Sequence, residues 1–195
     1  MNTSLIIVKK NSRQIRKSRS HACPEMYKPE PEDNLEKQIN EKIIEIVHQA
    51  NDMIPVEWDD LYIVIEMDKT YSGEVYFYFK YKNAYHYYLY IPRDFGVDKF
   101  ELYSQTDRLF EKSQELKKVF VENDLADWYI CIIHLDENNK LSVEYDYAPW
   151  LKSGYGPSAR MDLFEYKYLR KQPANEKELE KFKAMEAFQK EHNQK

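Results

Sequence analysis

Alternating apolar and polar residues predict five β-strands along the chain. In residues 61–68, aliphatic side chains alternate with Tyr, Val, Glu and Asp, which is the period of a strand. The same pattern indicates strands at 61–68, 74–81, 85–91, 128–133 and 141–147. Short connections between successive strands favour hairpins and therefore antiparallel pairing.

Apolar residues three and four positions apart predict four helices around these strands. Asp33 and Asp98 are each followed three residues later by Glu, the spacing of a capping box, and each precedes a helical pattern. Two more helices are predicted at 159–169 and about 175–192. The order α-β-β-β-α-β-β-α-α lacks the alternation typical of parallel sheets. We therefore predict an α+β fold: a single domain in which helices pack against a five-stranded antiparallel sheet.

Residues 71–91 are rich in aromatic side chains, ten of the 21 being Tyr or Phe. Rings occur on both faces of both strands predicted here, whereas a sheet that is solvated on one side alternates apolar with polar positions. Three arrangements fit this pattern. Helices cover both sides of the sheet, or one side is a Tyr-rich platform kept for a partner, or the sheet is packed on one face with tyrosines lying at its edge.

Charge divides the chain into two parts. Residues 1–33 carry a net charge of +3, include three prolines and lack periodicity, so we predict a disordered basic N-terminal tail. The predicted domain, residues 34–195, carries a net charge of −8. An acidic body is poorly suited to bind a phosphate backbone and better suited to meet a basic protein.

Cysteine usage and hydropathy indicate the cytoplasm as the expected location. Cys23 falls in the tail and Cys131 in a core strand, so a disulfide between them is not expected. No apolar run approaches the roughly 20 residues needed to span a bilayer. The apolar stretch at residues 5–8 precedes its positive charges, which is the reverse of the order in a signal peptide. We expect no membrane association.

No residue pattern indicates an active site. The five histidines lack the spacing of a zinc site, and the motifs of phosphate binding and nucleophilic catalysis are absent from the sequence. His134 and Asp136 come nearest to a metal or acid–base pair, but a strand end followed by a turn accounts for both residues. We therefore expect no enzymatic activity, no cofactor and no metal site.

Five stretches together resemble a known family. They are Asn51–Trp58, Ser72–Tyr78, Ile91–Pro92, Tyr145–Tyr147 and Glu165–Leu169. From about residue 34 to 170 the chain resembles the YezG/EsaG-type immunity proteins. Members of that family are cytoplasmic antitoxins paired with type VII-secreted LXG-type or nuclease toxins of Gram-positive bacteria.

Three features depart from the family pattern. The basic tail is extra, Phe164 stands where Trp is frequent, and Arg170 stands where Gly is usual. The difference at Phe164 concerns packing, and the difference at Arg170 concerns a helix cap. The motifs around residues 53–55 and 165–169 are expected either to stabilise the fold or to contact the partner.

The resemblance implies a non-enzymatic immunity protein that binds and neutralises a cognate secreted toxin in the cytoplasm. The expected toxin is a nuclease with a basic C-terminal domain, because an acidic partner can occupy a surface built to hold nucleic acid. Tyr and Trp side chains would supply the buried anchors of such an interface. The candidate partner-binding residues are Tyr76, Tyr78, Tyr88, Asp146, Tyr147, Trp150 and Tyr155. Trp150 is expected to be exposed, and Trp58 and Trp128 to belong to the core.

An alternative function is binding of single-stranded nucleic acid by the Tyr-rich sheet. Bases stack on exposed rings, and Lys80 and Lys82 lie beside these rings in the sequence. The acidic charge of the domain argues against this alternative, so no direct contact with nucleic acid is expected.

Overall fold

The structure, a computed structural model, describes residues 4–5 and 31–193, with side chains described from residue 34 to 193. The helices are α1 Pro31–Met53, α2 Ile91–Phe95, α3 Lys99–Glu122, α4 Pro157–Tyr168 and α5 Glu176–Asn193. The strands are β1 Ser4–Leu5, β2 Leu61–Met67, β3 Gly73–Tyr81, β4 Ala84–Tyr87, β5 Ile130–Leu135 and β6 Leu141–Asp146. Two 3₁₀ turns lie at Tyr88–Tyr90 and Trp150–Lys152. Except for residues 4–5 and 31–33, the predicted N-terminal tail lies outside the described residues.

The five predicted strands form one antiparallel sheet in the order β6-β5-β2-β3-β4, and the two-residue β1 pairs with the free edge of β6. The predicted α+β fold is confirmed. β2 lies at the centre, where Val64 is opposite Tyr76 on one side and Ile132 on the other. All seven residues of β2 are buried, because helices cover the sheet on both faces.

The first face of the sheet is covered by α3, and α1 packs against α3. The second face is covered by α4, whose Phe164 ring stacks on Tyr78 with centroids 5.7 Å apart. Of the three arrangements compatible with the aromatic segment, the structure therefore has helices on both sides. Tyr76 and Tyr78 lie on the second face and are covered by α4.

Several predicted boundaries are displaced, two of them at prolines. The strand predicted at 85–91 ends at Tyr87, and the chain continues as a 3₁₀ turn and then as α2. Pro92 starts this helix instead of ending a strand, because proline fits the first helical turn. For the same reason α1 starts at Pro31, before the predicted cap at Asp33. By contrast, Asp98 caps α3 as predicted, accepting from the backbone N–H groups of Phe100 and Glu101.

The motif at residues 165–169 fixes α4 to the sheet. The Tyr78 hydroxyl donates to Glu165 at 2.8 Å, and the Tyr168 hydroxyl donates to Glu144 at 2.7 Å. Arg170 follows the helix with a φ of 58°, the left-handed conformation that favours Gly at a helix C-terminus. These contacts show how this motif stabilises the fold.

Candidate partner-binding surface

The seven candidate partner-binding residues divide into two groups by exposure. Tyr147 is exposed and Tyr155 is half-buried. The other five are buried: Tyr76, Tyr78, Tyr88, Asp146 and Trp150. In this conformation a partner could touch the first two directly, whereas the other five contribute to the packing beneath the surface. A role in toxin binding stays a prediction for all seven.

The three buried tyrosines pack against helices and neighbouring rings. Tyr76 contacts Phe164 edge-on at 6.2 Å, and Tyr88 lies 5.2 Å from Phe77. Burial raises the pKa of Tyr78, and the hydrogen bond that Tyr78 donates to Glu165 raises it further. A phenol in this setting stays neutral and acts as a structural donor.

The expectation that Trp150 is exposed is wrong, since its side chain is only 1% accessible. Its indole N–H donates to Asp146 at 2.7 Å, and its ring lies 5.3 Å from Phe188 of α5. A glycine- and proline-rich loop therefore folds its largest side chain inward. Trp58 and Trp128 belong to the core, as predicted.

Asp146 holds the loop that follows β6. Besides the indole of Trp150, its carboxylate accepts the backbone N–H of Ala148 at 2.9 Å and the side-chain amide of Gln189 at 2.8 Å. All three donors are neutral, and Asp146 is buried. In the free protein Asp146 therefore positions the loop from beneath it.

The loop at residues 147–157 forms a ridge at one end of the sheet; we call it the 147–157 ridge. Two large hydrophobic side chains protrude from it, Tyr147 at 39% and Leu151 at 67% exposure. The backbone N–H of Tyr147 donates to Asn193 at the end of α5, and the carbonyl of Tyr155 accepts from Arg160 at 2.8 Å. The ridge is thus exposed at its tip and fixed at both ends.

Two grooves border the ridge. One has a volume of about 540 Å³ and is lined by Glu66, Glu74 and Arg160, with Tyr129 and Tyr155 as aromatic walls. The other has a volume of about 340 Å³ and is lined by two further acidic residues, Asp68 and Asp127, and by Lys69 and Lys152.

A buried ion pair forms the floor of the larger groove. Arg160 of α4 directs its Nε and Nη2 groups to one carboxylate oxygen of Glu66 on β2, with Nε at 2.7 Å. Burial raises the pKa of the Glu66 carboxyl, although Arg160 opposes this effect. The pair joins residues 94 positions apart and was not foreseen, because the sequence carries no local signal for it.

A second exposed aromatic region lies near the start of α3 and was also missed. It comprises Leu89 and Tyr90 of the 3₁₀ turn, and Phe100 and Tyr103 of the helix. Phe100 is 69% exposed, because it lies on the side of α3 opposite the buried Leu102. The helical period could have indicated the exposure of Phe100, since residues that are two positions apart on a helix point in nearly opposite directions.

Within residues 34–193 the side chains show no site for a metal ion, as no three potential ligands come together. His134 bonds to Asp60 at 2.9 Å and not to Asp136, which instead accepts backbone N–H groups of its own turn. Cys131 is a free thiol whose pKa is raised by burial. None of the described helices is long and apolar enough to cross a membrane.

Comparison with known proteins identifies the family. The family model described as "Immunity protein YezG-like" matches residues 37–183. The chain belongs to the YezG-like immunity protein family. The matched region includes every element that forms the sheet and its helical layers, apart from β1, the first turns of α1 and the second half of α5.

Two relatives of this YezG-like protein support the assignment. One is "Type VII secretion system protein EsaG" of Staphylococcus aureus (strain NCTC 8325 / PS 47), 28% identical over 159 residues, which cover 80% of this chain and 97% of EsaG. The other is "Immunity protein YezG" of Bacillus spizizenii (strain ATCC 23059 / NRRL B-14472 / W23), 33% identical over 131 residues, which cover 66% of this chain and 80% of YezG. The resemblance stated from the sequence motifs is confirmed.

Proposed function

We propose that this YezG-like protein neutralises a cognate secreted toxin in the cytoplasm by binding it, without catalysing a reaction. The observation that carries the proposal is membership of an immunity protein family across residues 37–183. An immunity protein implies a toxin as its partner. One relative is named as a type VII secretion system protein, which supports a toxin delivered by that route.

The proposed toxin is a nuclease with a basic C-terminal domain. A nuclease needs a positive surface to hold its substrate, and residues 34–195 carry a net charge of −8. Opposite charges speed the encounter of two proteins and favour correct orientation. The same charge disfavours the alternative of nucleic-acid binding, and the tyrosines on the second face of the sheet are covered by α4.

The 147–157 ridge is the proposed contact surface. Its exposed Tyr147 and Leu151 offer apolar contact area, and Tyr155 lies half-buried beside them. An anchor is most effective when it is held in place before binding, because less side-chain entropy is then lost. Asp146 and Trp150 provide this support from below.

The proposal is tested with the C-terminal domain of the toxin encoded beside this chain. Co-production of this chain should restore growth of cells that make the toxin domain. The purified pair should form a complex in which the toxin no longer degrades DNA or RNA. A toxin domain that stays fully active in the presence of excess partner would refute the proposed function.

The ridge is tested separately with matched substitutions. Tyr147→Ala should weaken the complex by about tenfold, as expected for an interface anchor worth more than 1 kcal/mol. Tyr103→Ala is the control, because Tyr103 is also exposed but lies on α3, near the opposite edge of the sheet. If Tyr103→Ala weakens binding and Tyr147→Ala does not, the contact surface lies elsewhere and the ridge is not the site.

A further inference from the structure

Three carboxylates lie in one row across the second face of the sheet. Glu74 of β3 is directly opposite Glu66 of β2. On the other side of β2, Glu66 is opposite Ile130 of β5, and Ile130 is opposite Asp146 of β6. Like charges placed opposite each other on neighbouring strands destabilise a sheet. The row therefore requires neutralising contacts, and these are distributed unevenly among the three carboxylates.

Two of the carboxylates have their partners within the protein. Glu66 pairs with Arg160, and Asp146 accepts three hydrogen bonds from neutral donors. Within residues 34–193 Glu74 forms no ion pair and no side-chain hydrogen bond, although it lies near enough to Arg160 to help raise the pKa of that guanidinium. The guanidinium of Arg160 directs its hydrogen bonds to Glu66 and to the Tyr155 carbonyl.

The unpaired carboxylate lies in a groove that suits a cation. Glu74 is half-buried and lines the 540 Å³ groove beside the ridge, together with the rings of Tyr129 and Tyr155. Aromatic faces attract an ammonium or guanidinium group, and this attraction is stronger where water is partly excluded. Arg160 already lies 5.5 Å from the centre of the Tyr129 ring, which shows that a guanidinium fits against this wall.

We infer that this groove receives a Lys or Arg side chain of the toxin, whose charged group pairs with Glu74. The inference rests on the proposed function and adds one specific contact to it. Glu74 and Glu66 repel each other across the two strands; Arg160 contacts Glu66 closely and acts on Glu74 only at longer range, so an incoming cation supplies the close partner that Glu74 lacks. Sites where a sequence keeps a local conflict of this kind are often functional.

The test compares two charge reversals with equal effect on net charge. Glu74→Lys places a cation in the groove, and Glu137→Lys places one in the exposed turn between β5 and β6, at the far end of the sheet. The dissociation constant of each variant is measured against the C-terminal domain of the neighbouring toxin. Glu74→Lys should weaken binding by about tenfold or more, and Glu137→Lys by about twofold or less.

Thermal unfolding of the free protein separates this effect from misfolding. Glu74→Lys should melt close to the parent temperature, because the new lysine is attracted to Glu66 across the strands but repelled by Arg160. Lost binding together with undiminished stability supports the inference. A neutral variant, Glu74→Gln, should fall between the parent and the charge reversal.

The outcomes distinguish the inference from the proposed function. If the parent protein binds the toxin and both reversals weaken the complex equally, the groove is not the site and the proposed function stands. If the parent protein neither binds nor protects, the proposed function fails and the inference fails with it.

Discussion

The indole N–H of Trp150 donates to the carboxylate of Asp146 across 2.7 Å, and both side chains are buried. The bond spans only four residues, yet it determines how the exposed ridge leaves the sheet. The same carboxylate is held by Gln189 from α5. The end of β6, the 3₁₀ turn that follows it and α5 therefore meet at one acidic group.

Removing this acidic group should destabilise the fold. Asp146→Ala leaves the donors of Ala148, Trp150 and Gln189 without an acceptor, and we expect a loss of about 2–4 kcal/mol in the free energy of unfolding. Trp150→Phe removes one donor and should cost about 1–2 kcal/mol. Urea denaturation measures both values. Glu137→Ala, in an exposed turn, is the control and should change stability by less than about 0.5 kcal/mol.

The Glu66–Arg160 pair should respond differently to single and double substitution. Arg160→Met leaves a buried carboxylate without its cation and should cost about 3–5 kcal/mol. The double variant Glu66→Leu with Arg160→Met removes both charges and should recover most of that loss. A double variant as unstable as Arg160→Met alone would contradict this account. Chemical denaturation of the two variants and the parent provides the measurement.

Gly73 should not tolerate a side chain. A Cβ atom here would overlap the backbone carbonyl of Glu66 and lie 2.8 Å from the Cα of Met67, so β2 and β3 would have to separate. Gly73→Ala should lower the free energy of unfolding by about 3 kcal/mol or more. Gly156→Ala is a matched control, since no atom lies within 4 Å of the position of its Cβ. Equal stability of the two variants would refute the close approach.

The buried tyrosines should make the protein sensitive to alkali. Burial raises the pKa of Tyr88 to about 12, and burial together with Asp60 raises that of Tyr85 to about 12. An unfolded Tyr ionises near pH 10, so above about pH 10 the folded state retains protons that the unfolded state has lost. The free energy of unfolding should therefore decrease as the pH rises from about 10 to 12.

Two measurements check the alkaline prediction. The phenolate absorbance of the buried tyrosines should appear together with the loss of secondary structure, because their hydroxyls become ionised on unfolding. Tyr88→Phe removes one such group and should make the decrease in stability less steep over the same pH range. Full phenolate absorbance in a protein that stays folded would contradict the burial of these rings.

Local patterns predicted the secondary structure well, because they depend on neighbours in the sequence. The alternation around Leu61 identified β2, and Asp98 identified the start of α3. The strand predicted to continue to Ile91 shows the limit of this approach. Aromatic residues favour strands, but the chain turns after Tyr87, and Ile91 is buried at the start of a helix.

Exposure at the candidate site was harder to predict than secondary structure. A Trp in a loop with two Pro and two Gly residues suggests a surface position, yet Trp150 is packed by Phe188, which is 38 positions away in the sequence. Likewise, the sequence indicated only that Glu66 is an acidic residue of the sheet. In the structure Glu66 pairs with Arg160, and the two side chains form the floor of a groove. Contacts between distant parts of the chain decided both cases.

The end of α5 has a practical importance beyond its own stability. Asn193 bonds to the backbone of Tyr147, and Gln189 bonds to Asp146, so the last helical turn braces the proposed contact surface. A label attached to this helical turn would disturb the brace. The β5–β6 turn around Glu137, at the opposite end of the sheet, is the better attachment point for immobilising the protein in binding measurements.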